Sequence, residues 1–207
     1  QAIAGDADIV LIPGSKATCS DLVFLKHQGW DIDILAHHRR GGTVIGLCGG
    51  YQMLGTQVSD PGGIEGTIPS VDGLGLLDVS TEIQGAKALQ KVSGHEISSN
   101  IPFSGFEMHI GKTTGPGTKN PWLTIDGSRT EGARSLGGQV YGSYVHGVFA
   151  NDTFRTRFLE PFRNHQNILI AYEDQIEGIL DRLGQHMESH LDMAGIEQIV
   201  KSADKEY

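Results

Sequence analysis

Short apolar runs alternate with amphipathic stretches over residues 7–55. Ala7-Asp8-Ile9-Val10-Leu11-Ile12 is apolar apart from Asp8 and stops at Pro13-Gly14. That pattern predicts a strand buried on both faces, as a parallel sheet requires. Ser20-Asp21 then signals a helix start, with Leu22 and Leu25 on one face, and a second helix is expected from Ile32 to Arg40, ended by Gly41-Gly42. Thr43-Val44-Ile45-Gly46-Leu47 repeats the buried-strand pattern, Cys48-Gly49-Gly50 makes a turn, and Tyr51-Gln52-Met53-Leu54 begins a further helix that closes near Gly55. The order β-α-β-α predicts an α/β fold with an open, mostly parallel sheet flanked by helices.

The middle of the chain changes character. From Asp60 to about Gly117 it is punctuated by glycine, with strands expected at Leu74–Val79 and around Phe106–Thr113. Trp122–Ile125 and Gln139–Val145 read as further strands. Asn151-Asp152 can cap a helix whose Phe154, Phe158 and Phe162 recur at i, i+4, i+8 and so face a core. Pro161 kinks or ends that helix. The tail from about Ile168 reads as polar-amphipathic helix. With no internal repeat and no long linker, residues 1–207 are expected to form a single domain. The chain begins at Gln1 and enters a strand almost at once, which suggests a segment of a longer polypeptide, with processing as the alternative.

Composition narrows the function classes. At 207 residues the chain can bury one sizeable core. Its net charge is −9, and no Lys/Arg cluster exists beyond Arg39-Arg40, which argues against nucleic acid. That pair falls at the end of a predicted helix, where cations complement the dipole. No apolar stretch reaches membrane-spanning length. Two cysteines in unlike surroundings make no disulfide framework, so a reducing, cytoplasmic setting is expected.

One of those cysteines carries the chemistry. An apolar strand leading into Gly46-Leu47-Cys48-Gly49-Gly50 and then a helix is a nucleophile elbow with sulfur in place of a serine oxygen. The tight turn lifts the side chain out of the strand, and glycines let neighbouring backbone pass closely. The following helix aims its N-terminal N–H groups at the sulfur and favours thiolate. The Gly49 N–H can stabilise an oxyanion; losing one such donor costs about 2.7–4 kcal/mol of transition-state stabilisation. Cys19 has no such context and reads as packing. A cysteine nucleophile needs a base. Among nine histidines, His146 in Tyr144-Val145-His146-Gly147-Val148-Phe149 ends an apolar strand, the place where open α/β sheets line their crevice. A core or surface histidine is the alternative.

Gly-Leu-Cys-Gly-Gly-Tyr-Gln-Met-Leu-Gly at 46–55 and Tyr-Val-His-Gly-Val-Phe at 144–149 resemble the nucleophile and histidine motifs of the class I glutamine amidotransferases. More narrowly, five stretches resemble the C-terminal domain of the cobyric acid synthase family. These are Ile12-Pro13-Gly14-Ser15-Lys16 followed by Asp21-Leu22, then Gly63-Ile64-Glu65-Gly66, Gly73–Val79, and Gly105-Phe106-Glu107-Met108-His109, all in order between about residues 7 and 160. The resemblance implies a flavodoxin-like fold and a glutaminase half-reaction. Cys48 would attack the side-chain amide of glutamine, giving a thioester and ammonia, and His146 would shuttle the proton. Backbone N–H groups of Gly14 or Ser15 and of Gly49 would form the oxyanion hole, and Gln52 would contact bound glutamine. It further implies an N-terminal synthetase domain, outside this chain, that holds ATP and magnesium and amidates a corrin in cobalamin biosynthesis. No cofactor or metal is expected in the domain itself.

The sequence departs from the superfamily pattern at one place. A glutamate two residues after the histidine is usual, orienting the imidazole as the aspartate of a serine triad does. Here Val148 stands there, as is also the pattern in the cobyric acid synthase branch. The resemblance makes Glu107 and His109 candidates for supporting roles, with ordinary polar strand residues as the alternative. Three motifs are decoys. Gly105–Thr113 has five residues between its glycines where a Walker loop needs four. Gly73-x-Gly75 lacks the last glycine of a dinucleotide fingerprint, and His186 with His190 lacks further metal-ligand types. Two competing readings remain: another cysteine hydrolase on the same fold, and a non-catalytic partner-binding module.

Overall fold

The computed structural model describes residues 2–85, 88–162 and 171–203. The chain divides into two compact units, Gln1–Asn164 and His165–Tyr207. In the first, β1 (Ile9–Ile12) leads to α1 (Thr18–His27) and α2 (Trp30–Arg39), then β2 (Thr43–Leu47) and α3 (Gly49–Leu54). There follow β3 (Gln57–Ser59), β4 (Ser70–Asp72), β5 (Ser80–Glu82), β6 (Ala88–Glu96), β7 (Pro102–His109) and β8 (Lys112–Thr114). The unit is completed by β9 (Leu123–Ile125), β10 (Arg129–Glu131), β11 (Ala133–Arg134), β12 (Val140–Ser143), β13 (Val145–His146) and α4 (Asp152–Leu159). In the second unit, α5 (Tyr172–His190) sets Ile176, Ile179, Leu180, Leu183 and Met187 at helical spacing, and α6 (Met193–Ala203) follows.

The sheet that carries the elbow has the order β1-β2-β12-β11. Strands β1 and β12 flank β2 in parallel, while β11 adds antiparallel to β12. Strand β2 is buried on both faces, as its unbroken apolar run predicts: Val44 joins one core cluster with Leu22, Ile34 and Leu54, and Ile45 joins the other with Trp122, Ile125 and Val145. Two further sheets stand beside it. One, β10-β9-β6-β7-β13, is antiparallel throughout; the other, β4-β3-β5-β8, is mixed.

Three expectations change. Leu74–Val79 is not a strand. Its apolar residues fold back over the end of α3, where the N–H groups of Leu74, Leu76 and Leu77 bond the Met53 and Leu54 carbonyls. These are carbonyls that a helix end leaves without partners. The run at 106–113 is broken between β7 and β8 by Gly111, whose φ is +111°. The expected strand Gln139–Val145 divides into β12 and β13, which pair in different sheets. Strand β6 has no counterpart among the expectations, because an antiparallel strand with one wet face mixes polar residues into its pattern. Helix α4 follows its prediction: the Asn151 side chain accepts from the Phe154 N–H at 2.9 Å, and a 3₁₀ turn at Glu160–Phe162 follows it. The onset of the tail helix near Ile168 lies outside the described residues.

Glycine is required where the elbow passes β1. A Cβ on Gly50 would run into the Ile12 carbonyl, standing 2.7 Å from its carbon and 2.8 Å from the Pro13 oxygen. Backbone cannot yield there as a flexible side chain could. Gly50→Ala should therefore destabilise the protein by about 3 kcal/mol or more, at the upper end of overpacking costs. Denaturant unfolding measures it.

Candidate active site

The parallel pairing puts the C-terminal ends of β1, β2 and β12 at one edge of the sheet, where ligands of open α/β sheets bind. Gly14 follows β1, Cys48 follows β2, and His146 lies just beyond β12. Cys48 has φ 54° and ψ −114°, a strained conformation for a residue with a side chain and the mark of an elbow. Its N–H bonds the Ser143 carbonyl at 2.8 Å, tying the turn to β12.

Cys48 and His146 meet at a third residue. The Cys48 thiol donates to the Met108 carbonyl at 3.4 Å, and His146 Nε2 lies 3.2 Å from the same oxygen. Gly14 closes the group: a Cβ there would sit 3.5 Å from both Cys48 Cβ and His146 Cε1. On the other side of the elbow, a Cβ on Gly49 would stand 2.7 Å from the Ser15 nitrogen, so the backbone at 15 and 49 lies side by side. A cavity of about 550 Å³ opens over these residues, lined also by Lys16, Glu65, Gln52 and His109.

The walls of the cavity are fixed by buried polar bonds. The Asp60 carboxylate accepts from the N–H groups of Ile64 and Glu65 at 2.8 Å each. Burial opposes ionisation there, but backbone N–H groups of residues 63–66 outweigh it and hold the Asp60 carboxyl below its usual range. Glu65, so placed, accepts from the Thr18 N–H at 2.8 Å and caps α1, which Ala17 cannot do. Gln52 lines the cavity with its carboxamide bonded inside the protein: Oε1 accepts from Thr18 Oγ1, and Nε2 donates to the Ile110 carbonyl and to the Tyr144 hydroxyl. Glu107 holds Arg129 through two bonds, at 3.0 and 2.7 Å, and lies 3.7 Å from His109. His109 stacks on Tyr144 with ring centres 3.9 Å apart.

Of the expected site residues, Gly14, Ser15, Cys48, Gln52, His109 and His146 line the cavity, Gly49 lies against Ser15 behind it, and Glu107 bonds Arg129 beside His109. The second cysteine is not among them: Cys19 is buried, its thiol faces the Val58 carbonyl, and burial together with Asp60 and Glu65 pushes its pKa up. Val148 is buried among Ile45, Trp122 and Phe154.

Three contributors were not anticipated. The Met108 carbonyl is backbone and leaves no signal in sequence. Tyr144 opens the histidine motif two residues before His146, but nothing in the motif assigns it a role. Glu131 is the third. It is 6% exposed, accepts from the Tyr144 N–H and from Ser143 Oγ at 2.7 Å each, and looks in sequence like any polar residue of a surface turn.

Residues 1–154 match the CobB/CobQ-like glutamine amidotransferase domain. The chain belongs to that family. Cobyric acid synthase of Ruegeria sp. (strain TM1040) is 50% identical over 201 residues, 97% of this chain and 41% of that protein. Cobyric acid synthase of Caulobacter sp. (strain K31) is 48% identical over 200 residues, 95% of this chain and 40% of that protein. The chain therefore spans about two-fifths of the curated relatives it matches, which carry a further part beyond the amidotransferase domain. Among solved structures, PurLQS from Thermotoga maritima aligns with TM-score 0.56 at 15% identity, covering 77% of this chain and 82% of that one. A glutamine amidotransferase crystal structure aligns with TM-score 0.52 at 17% identity, covering 75% and 79%. These two share the fold. Among the described residues, no helix is long and apolar enough to cross a membrane.

Glu131 makes stability depend on pH. Burial raises its pKa, the Ser143 and Tyr144 bonds lower it, Glu107 raises it and Arg129 lowers it; the balance stands at about 7. An acid held above its unfolded value is ionised first in the unfolded chain. Its stabilising contribution is full below the unfolded pKa and is lost as pH rises to about 7. Glu131→Gln removes the titration. Its Tm relative to the parent should rise between pH 5 and pH 8, a gain of up to about 3 kcal/mol before the loss of the Ser143 bond is subtracted. Thermal unfolding at the two pH values checks it.

Proposed function

We propose that this domain hydrolyses glutamine at Cys48 and supplies the ammonia to an ATP-dependent synthetase that amidates carboxylates of a corrin. The observation that carries the reading is the convergence of the Cys48 thiol and His146 Nε2 on one carbonyl, at the mouth of a cavity whose floor is a strained elbow. The shared acceptor brings a nucleophile and a base together within a protein of amidotransferase family.

The steps follow from the residues. The thiol proton passes to His146, and the sulfur attacks the side-chain carbonyl carbon of glutamine. The oxyanion is met by the N–H groups of Gly49 and of Gly14 or Ser15, where two backbones lie against each other. His146 returns the proton to the nitrogen, the C–N bond breaks, and ammonia leaves a thioester. Water, deprotonated by His146, then attacks the thioester, frees glutamate and restores Cys48. Gln52 serves this site by holding α3 to Tyr144 and to the Ile110 carbonyl, with substrate contact confined to what its bonded carboxamide leaves free. Glu107 and His109 support the wall that carries the Met108 carbonyl. ATP and magnesium belong to the synthetase part, and the corrin acceptor is inferred from the cobyric acid synthase relatives.

Glutamate release, measured for the chain alone and with the synthetase part present, tests the reading. Cys48→Ala should abolish it in both settings, and His146→Ala should lower kcat roughly 10²–10⁴-fold. Unchanged turnover in Cys48→Ala would refute it.

A further inference from the structure

The chain leaves the parallel sheet at the residues that lead to the histidine. Strand β12 ends at Ser143 beside Leu47 of β2, and two residues later Val145 pairs with Glu107 of β7 in the antiparallel sheet. Backbone that crosses from one sheet to another loses its ladder partners and needs others. Glu131 supplies them. It ends β10 of the second sheet, and Gly132, with φ +72°, turns the chain directly into β11 of the first. From this junction its carboxylate accepts from the Tyr144 N–H and from Ser143 Oγ, and Ser143 Oγ in turn accepts from the Val145 N–H at 2.9 Å. All three residues before His146 are therefore tied to one buried side chain. The imidazole itself bonds a backbone carbonyl, that of Met108, and Val148 lies in an apolar cluster.

We propose that Glu131 is the positioning residue for His146, fixing through Ser143, Tyr144 and Val145 the strand crossover that aims the imidazole at Cys48. It touches neither substrate nor reacting atoms. A glutamine at 131 keeps an acceptor for the Tyr144 N–H but presents an amide N–H₂ to Ser143, whose hydroxyl must then turn. Ser143 Oγ then accepts from the amide as well as from the Val145 N–H, and the bond it donated to residue 131 is lost, which loosens the crossover through which His146 enters. A carboxylate that opposes folding once ionised, yet occupies the crossover, is the kind of residue function retains at the expense of stability.

The inference rests on the glutaminase reading, and its test separates the two. Glutamate release is measured with the synthetase part present for the parent, Glu131→Gln and Ser143→Ala. Competent sites are counted by covalent label on Cys48 from a glutamine-analogue electrophile. Glu131→Gln should lose roughly tenfold or more in kcat per labelled site while KM stays within about twofold, since misaimed chemistry leaves ground-state binding intact. Its Tm at pH 8 should equal or exceed that of the parent, an effect no loss of folding could produce. Ser143→Ala should lose kcat in the same manner, and the double variant should be no worse than the poorer single one, as for residues acting in series. An active parent with both variants at parental kcat per site would overturn the positioning role alone. A parent inactive with the synthetase part present would overturn the glutaminase reading and this inference with it.

Discussion

The site depends on how closely two backbones approach at Gly50 and Ile12. Strand β2 can turn through Cys48 into α3 only if the helix starts against the end of β1, and that contact leaves no room for a side chain. Once it is made, the rest follows in order. Cys48 is forced to positive φ and its sulfur leaves the sheet; the helix N–H groups fall beneath it; the Gly14-Ser15 turn after β1 lies alongside. Strain of about 1–3 kcal/mol at Cys48 is held in place by its N–H bond to the Ser143 carbonyl and by the buried start of α3. Tyr51 contributes most visibly, filling the space beside Gly142 of β12 so that the third parallel strand can draw near.

The base reaches the same edge by a different device. His146 is not the end of a parallel strand but the end of a strand that has already changed sheets. Tyr144 stands at the change. Its ring is stacked by His109, its hydroxyl bonds Thr113 and Gln52, and its N–H bonds Glu131. Burial pushes the phenol pKa up, so it remains a neutral donor. The Gln52–Tyr144 bond links the helix behind the nucleophile to the strand in front of the histidine. Two elements ninety-two positions apart in sequence thereby share one rigid support.

Legibility in the sequence followed burial pattern. Strand β2 was readable to the residue because its neighbours cover it on both faces and only apolar side chains serve there. The elbow was readable because close backbone contact demands glycine at fixed places. Leu74–Val79 looked like a strand for the same compositional reason, yet it satisfies a helix end, and nothing in an apolar run says which backbone will take its N–H groups. Glu131 and the Met108 carbonyl were not readable at all. Their roles exist only once β7, β10 and β12 have come together, and neither a lone glutamate nor a peptide group announces such a meeting.

Chemical labelling tests the placement of the nucleophile most directly. The folded protein is treated with an electrophilic glutamine analogue, with and without excess glutamine, and its peptides are mapped. One label per chain on Cys48, suppressed by glutamine, with none on Cys19, is the expected result. Label on Cys19 with Cys48 left unmodified would contradict the assignment of the elbow cysteine as the reacting group.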